Sequence, residues 1–175
     1  MTGPLTDSVS RRIVALRGGP ERLAHARIRR FAALHPDWHL RVYRTPGGFR
    51  VLVMNDTYDP MDSHIGDFFK ALRVDPIYAA MCRNQRCFRA RVTPKPWRIG
   101  IADHLRPRPG VWPVKPEHLP LRSTWIRAYE AQAAQYGSCR FVEALGNTGS
   151  VHTKAESVRA WHDWLSQALS GREIA

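Results

Sequence analysis

The first half of the chain shows two periodicities of apolar side chains. After Pro20, apolar residues recur every three or four positions until His-Pro at residues 35–36, which predicts a helix that ends there. Residues 39–44 and 49–54 instead alternate around the turn Thr-Pro-Gly-Gly. This pattern predicts a β-hairpin, because glycine readily adopts the backbone angles of a tight turn. The helical apolar positions are Ala24, Ile28, Phe31 and Leu34.

Two more helices and a basic strand are predicted after the hairpin. Ser63 is a candidate N-cap for a second helix, and Asp75, with the proline after it, is a candidate N-cap for a third. Residues 87–93 then alternate apolar side chains with arginines, which predicts a strand. With an apolar run at residues 13–16 taken as the first strand, the order over residues 11–93 is β-α-β-β-α-β. This order predicts an α+β, ferredoxin-like (RRM-like) antiparallel sheet with helices on one face and the other face open.

The rest of the chain is predicted to form an arm and a helical extension. Residues 94–120 are too rich in proline to continue a helix or a central strand, so we expect an extended arm. Residues 121–175 are predicted to form a helix, a strand at residues 140–145, a glycine-rich loop and a terminal helix, packed on the core. The predicted buried stripe of the terminal helix is Val158, Trp161, Leu165 and Leu169.

Charge gives the first indication of function. The 175 residues include 27 basic and 15 acidic side chains, a formal net charge of +12, and most of the basic ones are arginine. An excess of this size raises the local concentration of polyanions and favours nucleic acid or nucleotide partners. Arginine-rich usage also follows from a GC-rich genome, although that would not explain the sign of the net charge.

Cysteine content and hydropathy argue against a disulfide-rich secreted protein and against a membrane-spanning protein. Three cysteines, an odd number, argue against a disulfide framework and favour a reducing compartment. Cys82 and Cys87 are predicted to be buried thiols rather than zinc ligands. No apolar stretch approaches the roughly 18 residues of a membrane span, and the N-terminus lacks the apolar core of a secretory signal. We therefore expect a cytoplasmic protein without a membrane span.

The predicted strands carry a candidate anion-binding face. If Leu40 and Val42 face the helices, then alternate side chains on the hairpin and on the strand at residues 87–93 point to the open face. Guanidinium groups and an aromatic ring on a sheet favour single-stranded nucleic acid, with the proline-rich arm closing over it. The alternative is that these arginines pair with the chain's own carboxylates. The predicted nucleic-acid-binding residues are Arg41, Tyr43, Arg50, Arg89, Arg91, Lys95, Trp97 and Arg98.

A group of polar residues after the hairpin permits a catalytic alternative. Asp56, Asp59 and His64 could hold Mg²⁺ and carry a proton in a metal-dependent nucleotidyl or phosphoryl transferase. The same composition is typical of a solvated turn before a helix cap, which is the favoured interpretation. Under that interpretation, no metal or cofactor is expected.

The glycine-rich loop before the terminal helix is a candidate phosphate site. Gly146, Gly149 and Ser150 could present backbone N–H groups to a phosphate, with His152 beside them. The loop lacks the Gly-Lys-Ser/Thr ending of a P-loop, and a histidine near a helix start is more often a capping or surface residue. A third function also stays open, namely a basic module that docks an acidic protein or an anionic membrane surface.

Two family resemblances are carried by these segments. The block YRTPGGFR followed by CFRARVTPKPWR resembles a run shared by bacterial proteins of no assigned function. The hairpin YRTPGGFRVLV with the helix and basic strand after it is similar to the RRM-like palm of archaeo-eukaryotic primase-polymerases. That resemblance implies nucleotide or template binding at Arg50, Arg89 and Arg91. The family's acidic pair is one residue apart, whereas Asp56 and Asp59 are separated by two residues.

Overall fold

The computed structural model describes residues 19–105 and 112–175, and these form an α+β fold. The predicted first strand at residues 13–16 lies outside the described residues. Short 3-10 turns occur at Pro96–Arg98 and Pro116–His118. The helices of the described residues are α1 (Gly19–Leu34), α2 (Ser63–Leu72), α3 (Pro76–Gln85), α4 (Leu119–Ala133) and α5 (Thr153–Ser166), and the strands are β1 (His39–Thr45), β2 (Gly48–Val53) and β3 (Arg140–Gly146).

The three strands form an open antiparallel sheet in the order β2-β1-β3. The predicted hairpin is confirmed as β1 and β2, whereas the third described strand comes from the predicted C-terminal extension. Gly146 ends β3 with a φ of +76°, and a Cβ added there would lie 1.9 Å from the carbonyl oxygen of Trp38. A side chain is therefore excluded where β3 passes the start of β1.

The segment at residues 87–93 is not a strand in the structure, so the prediction of a basic strand there is wrong. α3 ends at Gln85, its C-cap Arg86 adopts a left-handed conformation with φ 49°, and the Cys87 amide donates to the Cys82 carbonyl. The chain thus leaves the helix through a tight turn. The prolines at residues 94 and 96 then remove two donors that a sheet ladder would need.

Local sequence explains where the helices begin. The Asp75 carboxylate accepts a hydrogen bond of 2.9 Å from the Ile77 amide, and proline occupies the first position of α3. That N-cap prediction is confirmed. In α2 the N-cap position belongs to Asp62 rather than to the predicted Ser63. α1 ends before Pro36, as predicted, because a proline ring clashes with the residue before it when that residue is helical.

The contacts divide the described chain into two compact units, and the first comprises residues 19–42, 47–90 and 142–157. Its core is built around Phe31, Ala32 and Leu40. Phe31 meets the rings of Trp38 and Phe68 edge-on, with centroids 5.7 and 5.8 Å apart. The partly buried side chains packed against this core are Trp38, Val51, Val53, Phe68, Leu72 and Leu145.

The second unit comprises residues 43–46, 91–105, 112–141 and 158–175. Its C-terminal segment is bonded to the chain that leads into β3. The Ser138 amide donates to the Ser166 carbonyl, and the Phe141 amide donates to the Ala168 carbonyl, each at 2.9 Å. The predicted extension at residues 121–175 is therefore divided between the units: residues 142–157 belong to the first unit, and the rest belongs to the second.

The predicted orientation of α5 is wrong. Val158, Trp161 and Leu165 were expected to be buried, but they are exposed, as is Leu169 after the helix. The helix instead buries a polar side, which includes His162, Asp163 and Ser166. Among the cysteines, Cys82 is buried as expected, whereas Cys87 is exposed.

Candidate nucleic-acid interface

The predicted open sheet face is partly covered, and Tyr43 shows this most directly. Its side chain is fully buried. The ring lies 4.5 Å from the His162 ring and 5.7 Å from the Phe141 ring, centroid to centroid. Tyr43 therefore packs within the second unit and is not available to stack on a base. Arg41, on the same strand, is half-buried.

Arg50 lies near the hydroxyl of Tyr78 in the first unit. Burial raises the pKa of Tyr78 to about 12, and a hydrogen bond with Cys82 acts in the same direction, while the Arg50 guanidinium opposes the shift. The same hydroxyl is hydrogen-bonded to the backbone of Arg89. Arg50 and Arg89 thus both act on a side chain of α3, Arg50 electrostatically and Arg89 through its backbone, and they do not share a sheet.

The end of α3 and the turn after it present a compact basic surface. Arg83, Arg86 and Arg89 are all exposed, and so is Phe88 between the last two. The Arg89 guanidinium is hydrogen-bonded to the Gln85 side-chain oxygen, which folds this segment back on the helix. Arg83 and Arg86 have no carboxylate partner among residues 19–105 and 112–175. We call Arg83, Arg86, Phe88 and Arg89 the basic turn.

A second group of exposed basic side chains lies in the second unit. Lys95, Trp97 and Arg98 are exposed, and the Lys95 ammonium lies 5.2 Å from the centre of the Trp97 ring. Arg91 is also exposed and donates to the carbonyls of Thr93 and Pro94. We call Arg91, Lys95, Trp97 and Arg98 the basic strap.

The basic strap is held against α4, so this part of the predicted arm packs down. The Tyr129 hydroxyl donates to the Pro94 carbonyl at 2.7 Å, and the Trp125 indole donates to the Asp103 carbonyl at 2.8 Å. The two rings stack on one another, 5.2 Å apart and nearly parallel. Proline-rich chain has few donors of its own, and α4 supplies donors to its carbonyls.

Arg29 in α1 shows how an arginine is neutralised in this fold. Its guanidinium makes two hydrogen bonds to the Glu143 carboxylate, at 2.9 and 2.7 Å, and His25 approaches the same carboxylate at 2.5 Å. These contacts, the Arg29 bond first among them, lower the pKa of Glu143 despite the opposing effect of burial. By contrast, the sequence holds no acidic residue between Asp75 and Asp103. The basic turn and strap thus have no carboxylate within their own segment.

The residues of the catalytic alternative are occupied in local turns. Asp56 accepts a hydrogen bond from the Thr57 amide at 2.7 Å, and Asp59 accepts one from the Met61 amide at 2.8 Å. His64 is exposed and lies 3.9 Å from Asp62. Within the described part of the chain, no group of three or more His, Cys, Asp or Glu side chains is arranged to hold a metal ion.

The amides of the glycine-rich loop are largely used within the first unit. The Asn147 amide donates to the Trp38 carbonyl, the Ser150 amide to the Asn147 carbonyl, and the His152 amide to the Met54 carbonyl. The Gly149 amide donates to the Asn147 side chain at 3.3 Å. His152 caps α5 by accepting from the Lys154 amide at 3.2 Å. The geometry therefore corresponds to the capping alternative for His152, and these amides are not directed at a phosphate.

One polar cluster was not predicted. The Cys139 sulfur lies 3.9 Å from Nε2 of His162, whose Nδ1 lies 3.0 Å from the Asp163 carboxylate, and Arg159 binds the same carboxylate at 3.1 Å. Neighbouring His and Asp in the sequence were the only signal. Because Cys139 is fully buried, its sulfur is not presented to a substrate, and the cluster ties α5 to the start of β3.

Comparison with protein-family models, characterised proteins and solved structures returns no match for this chain. None of the helices in the described ranges has the length and apolar character needed to cross a bilayer.

Proposed function

We propose that this protein binds single-stranded nucleic acid, and that the basic turn of the first unit and the basic strap of the second unit each contact the strand. The observation that carries the proposal is the exposure of six basic side chains, at residues 83, 86, 89, 91, 95 and 98, along a stretch of sequence without any carboxylate. Guanidinium groups match phosphate geometry with two parallel hydrogen bonds, and phosphate contacts supply most of the affinity for nucleic acid.

Exposed aromatic rings among these charges favour a single strand over a duplex. Phe88 accompanies the basic turn, and Trp97 accompanies the basic strap. Stacking of an unpaired base on an aromatic side chain is worth about 1–3 kcal/mol and needs no particular sequence. In a duplex the base faces are already stacked, so these rings would contribute little there.

The proposed binding through the basic turn is tested by comparing two variants that lose the same number of positive charges. Arg83→Gln/Arg86→Gln/Arg89→Gln removes the cations of the basic turn. Arg22→Gln/Arg30→Gln/Arg127→Gln removes three exposed arginines of α1 and α4. Binding to a labelled oligonucleotide of roughly 20 nucleotides, followed by fluorescence anisotropy across roughly 50–200 mM salt, reports affinity and the number of phosphate contacts.

We expect the basic-turn variant to bind at least ~10-fold more weakly and its slope of log K against log salt to fall by about 2, since each phosphate contact on a single strand contributes about 0.7. The control variant should lose much less. Equal losses in both variants would show that net charge alone drives association. Absence of binding by the unmodified protein at low salt would end the proposal.

A second variant separates stacking from charge. Trp97→Ala should weaken binding to single strands by about 1–3 kcal/mol without changing the salt slope, and it should leave weak duplex binding unaltered. Asp56→Asn serves as the control for the metal-dependent alternative, and it should leave both affinities unchanged with or without Mg²⁺. Loss of Mg²⁺-dependent binding in Asp56→Asn would instead favour that alternative.

A further inference from the structure

α5 presents an apolar face to the outside. Val158, Trp161 and Leu165 follow one another at helical spacing, with Trp164 beside them and Leu169 just beyond the helix. The two tryptophan rings meet edge-on with centroids 5.5 Å apart. Their exposed fractions are Val158 55%, Trp161 63%, Trp164 63%, Leu165 45% and Leu169 64%, and we call these five residues the outer face of α5.

The inner side of the helix explains why these residues stay outside. His162 and Asp163 are buried and bonded to one another, Arg159 binds Asp163 at 3.1 Å, and Ser166 is fully buried. Rotating the helix to bury its tryptophans would expose this ion-paired network and break its contact with Cys139. The exposure of the apolar side is therefore a consequence of the fold.

The area of the outer face suits a protein interface. From the sizes and exposures of these side chains, it amounts to roughly 600 Å² per chain, at the upper end of the largest apolar patch on a typical monomer. Two such faces pressed together would bury roughly 1,200 Å² in total. Specific interfaces need at least about 1,000 Å², so the outer face alone is large enough to hold two chains together.

The distribution of charge indicates which kind of partner could cover the outer face of α5. Residues 153–175 contain three basic and three acidic side chains, so the whole formal charge of +12 belongs to residues 1–152. An anionic membrane or an acidic partner would be attracted elsewhere, since this segment has no net charge. A second copy of the chain is repelled by most of the surface but not here, because Arg159 is already paired with Asp163 on the inner side.

We propose that the outer face of α5 is the interface of a homodimer, in which α5 of one chain packs against α5 of another about a twofold axis. A twofold interface uses the same patch on both chains, so a single self-complementary apolar face is sufficient. Val158, Trp161 and Leu165 at positions i, i+3 and i+7 form the row that a partner helix would contact. The two tryptophans are the anchors, as large aromatic residues commonly are in interfaces.

The test is the mass of the full chain in solution over a range of concentrations. Sedimentation velocity or light scattering should give a species of about 40 kDa, twice the 20.0 kDa of one chain, that dissociates on dilution. Trp161→Ser/Leu165→Gln should raise the dissociation constant at least ~100-fold while far-UV circular dichroism stays unchanged. Trp112→Ser/Leu119→Gln changes two exposed apolar residues elsewhere and should leave the dimer intact.

Leu169→Gln lies beyond the helix and provides a second variant if the double change impairs folding; it too should weaken the dimer. A chain that stays monomeric at high concentration would overturn the proposal, as would a dimer that the α5 variants leave unaffected. A monomer that binds vesicles of phosphatidylserine through Trp161 and Trp164 would assign the face to a bilayer. A monomer whose tryptophans become open to acrylamide quenching only after deletion of residues 1–18 would assign it to the chain's own N-terminal segment. Both results would contradict the dimer.

Discussion

α1 and α5 are both amphipathic helices, but they use their two sides in opposite ways. α1 buries Ile28, Phe31 and Ala32 and leaves arginines outside. α5 buries His162 and Asp163 and leaves its tryptophans outside. The comparison shows that an apolar stripe identifies a helix and its apolar side, but not whether this chain itself covers that side. Hydrogen-bonded polar groups can determine which side of a helix faces the interior when another molecule covers the apolar side.

The largest expected effect tests whether the apolar sides of α1 and α5 contribute differently to the free energy of unfolding. Phe31→Ala removes a buried ring that contacts Trp38 and Phe68 and should cost about 3–5 kcal/mol of unfolding free energy. Trp164→Ala removes a larger ring that is mostly exposed and should cost less than about 1 kcal/mol in the dissociated chain. Urea unfolding at several protein concentrations separates folding from association. Similar losses in the two dissociated variants would invalidate the contrast.

The next effect tests the polar inner side of α5. Asp163→Ala removes the buried carboxylate that both His162 and Arg159 contact and should cost about 1.5–3 kcal/mol, because the network inside the fold loses its shared charged acceptor. Asp37→Ala removes an exposed carboxylate and should be nearly neutral. Thermal unfolding of the two variants under identical conditions makes the comparison. A neutral Asp163→Ala would mean that the inner side does not determine how α5 is oriented.

A smaller, pH-dependent effect is expected where α1 makes its own ion pair. The pKa of Glu143 is lowered, mainly by its hydrogen bond to Arg29, so its stabilising contribution is present above the unfolded-state pKa. That contribution is lost as the pH falls through the lowered folded-state pKa. Because the Arg29 side chain is exposed to solvent, Glu143→Gln should cost no more than about 1 kcal/mol near neutral pH and progressively less in acid.

Urea unfolding across the acid range measures this difference, and Arg29→Gln serves as the partner variant. The two substitutions together should cost less than the sum of each alone, because they remove the same contact. A Glu143→Gln deficit that does not depend on pH would contradict the assigned ion pair.

The smallest effect concerns a residue on the predicted stripe of α1. Leu34 completes the apolar pattern of that helix but is 68% exposed. Leu34→Gln should therefore change the unfolding free energy by no more than about 0.5 kcal/mol. Chemical denaturation of Leu34→Gln and Phe31→Ala under the same conditions shows how widely the loss of unfolding free energy varies along one apolar stripe. A loss of several kcal/mol would show that Leu34 is covered in solution.

The candidate interface was predictable in composition but not in geometry. Exposure of Arg89, Arg91 and Trp97 is found as the sequence suggested. Their predicted strand is not, because the pattern of residues 87–93 is equally compatible with a turn that folds back on α3. Arg83 and Arg86 were missed. The absence of acidic residues between Asp75 and Asp103 was the available signal for them.

Local sequence by itself determined where most elements of the described chain begin and end. The hairpin follows from its glycine turn, the end of α1 from Pro36, and the start of α3 from Asp75, because each depends on the conformational preferences of a few adjacent residues. Tertiary structure alone decided that β3 joins β1, that Tyr43 is covered and that α5 turns its tryptophans outward. Those outcomes depend on hydrogen bonds and packing between residues far apart in sequence, such as Cys139 with His162, and no local periodicity contains that information.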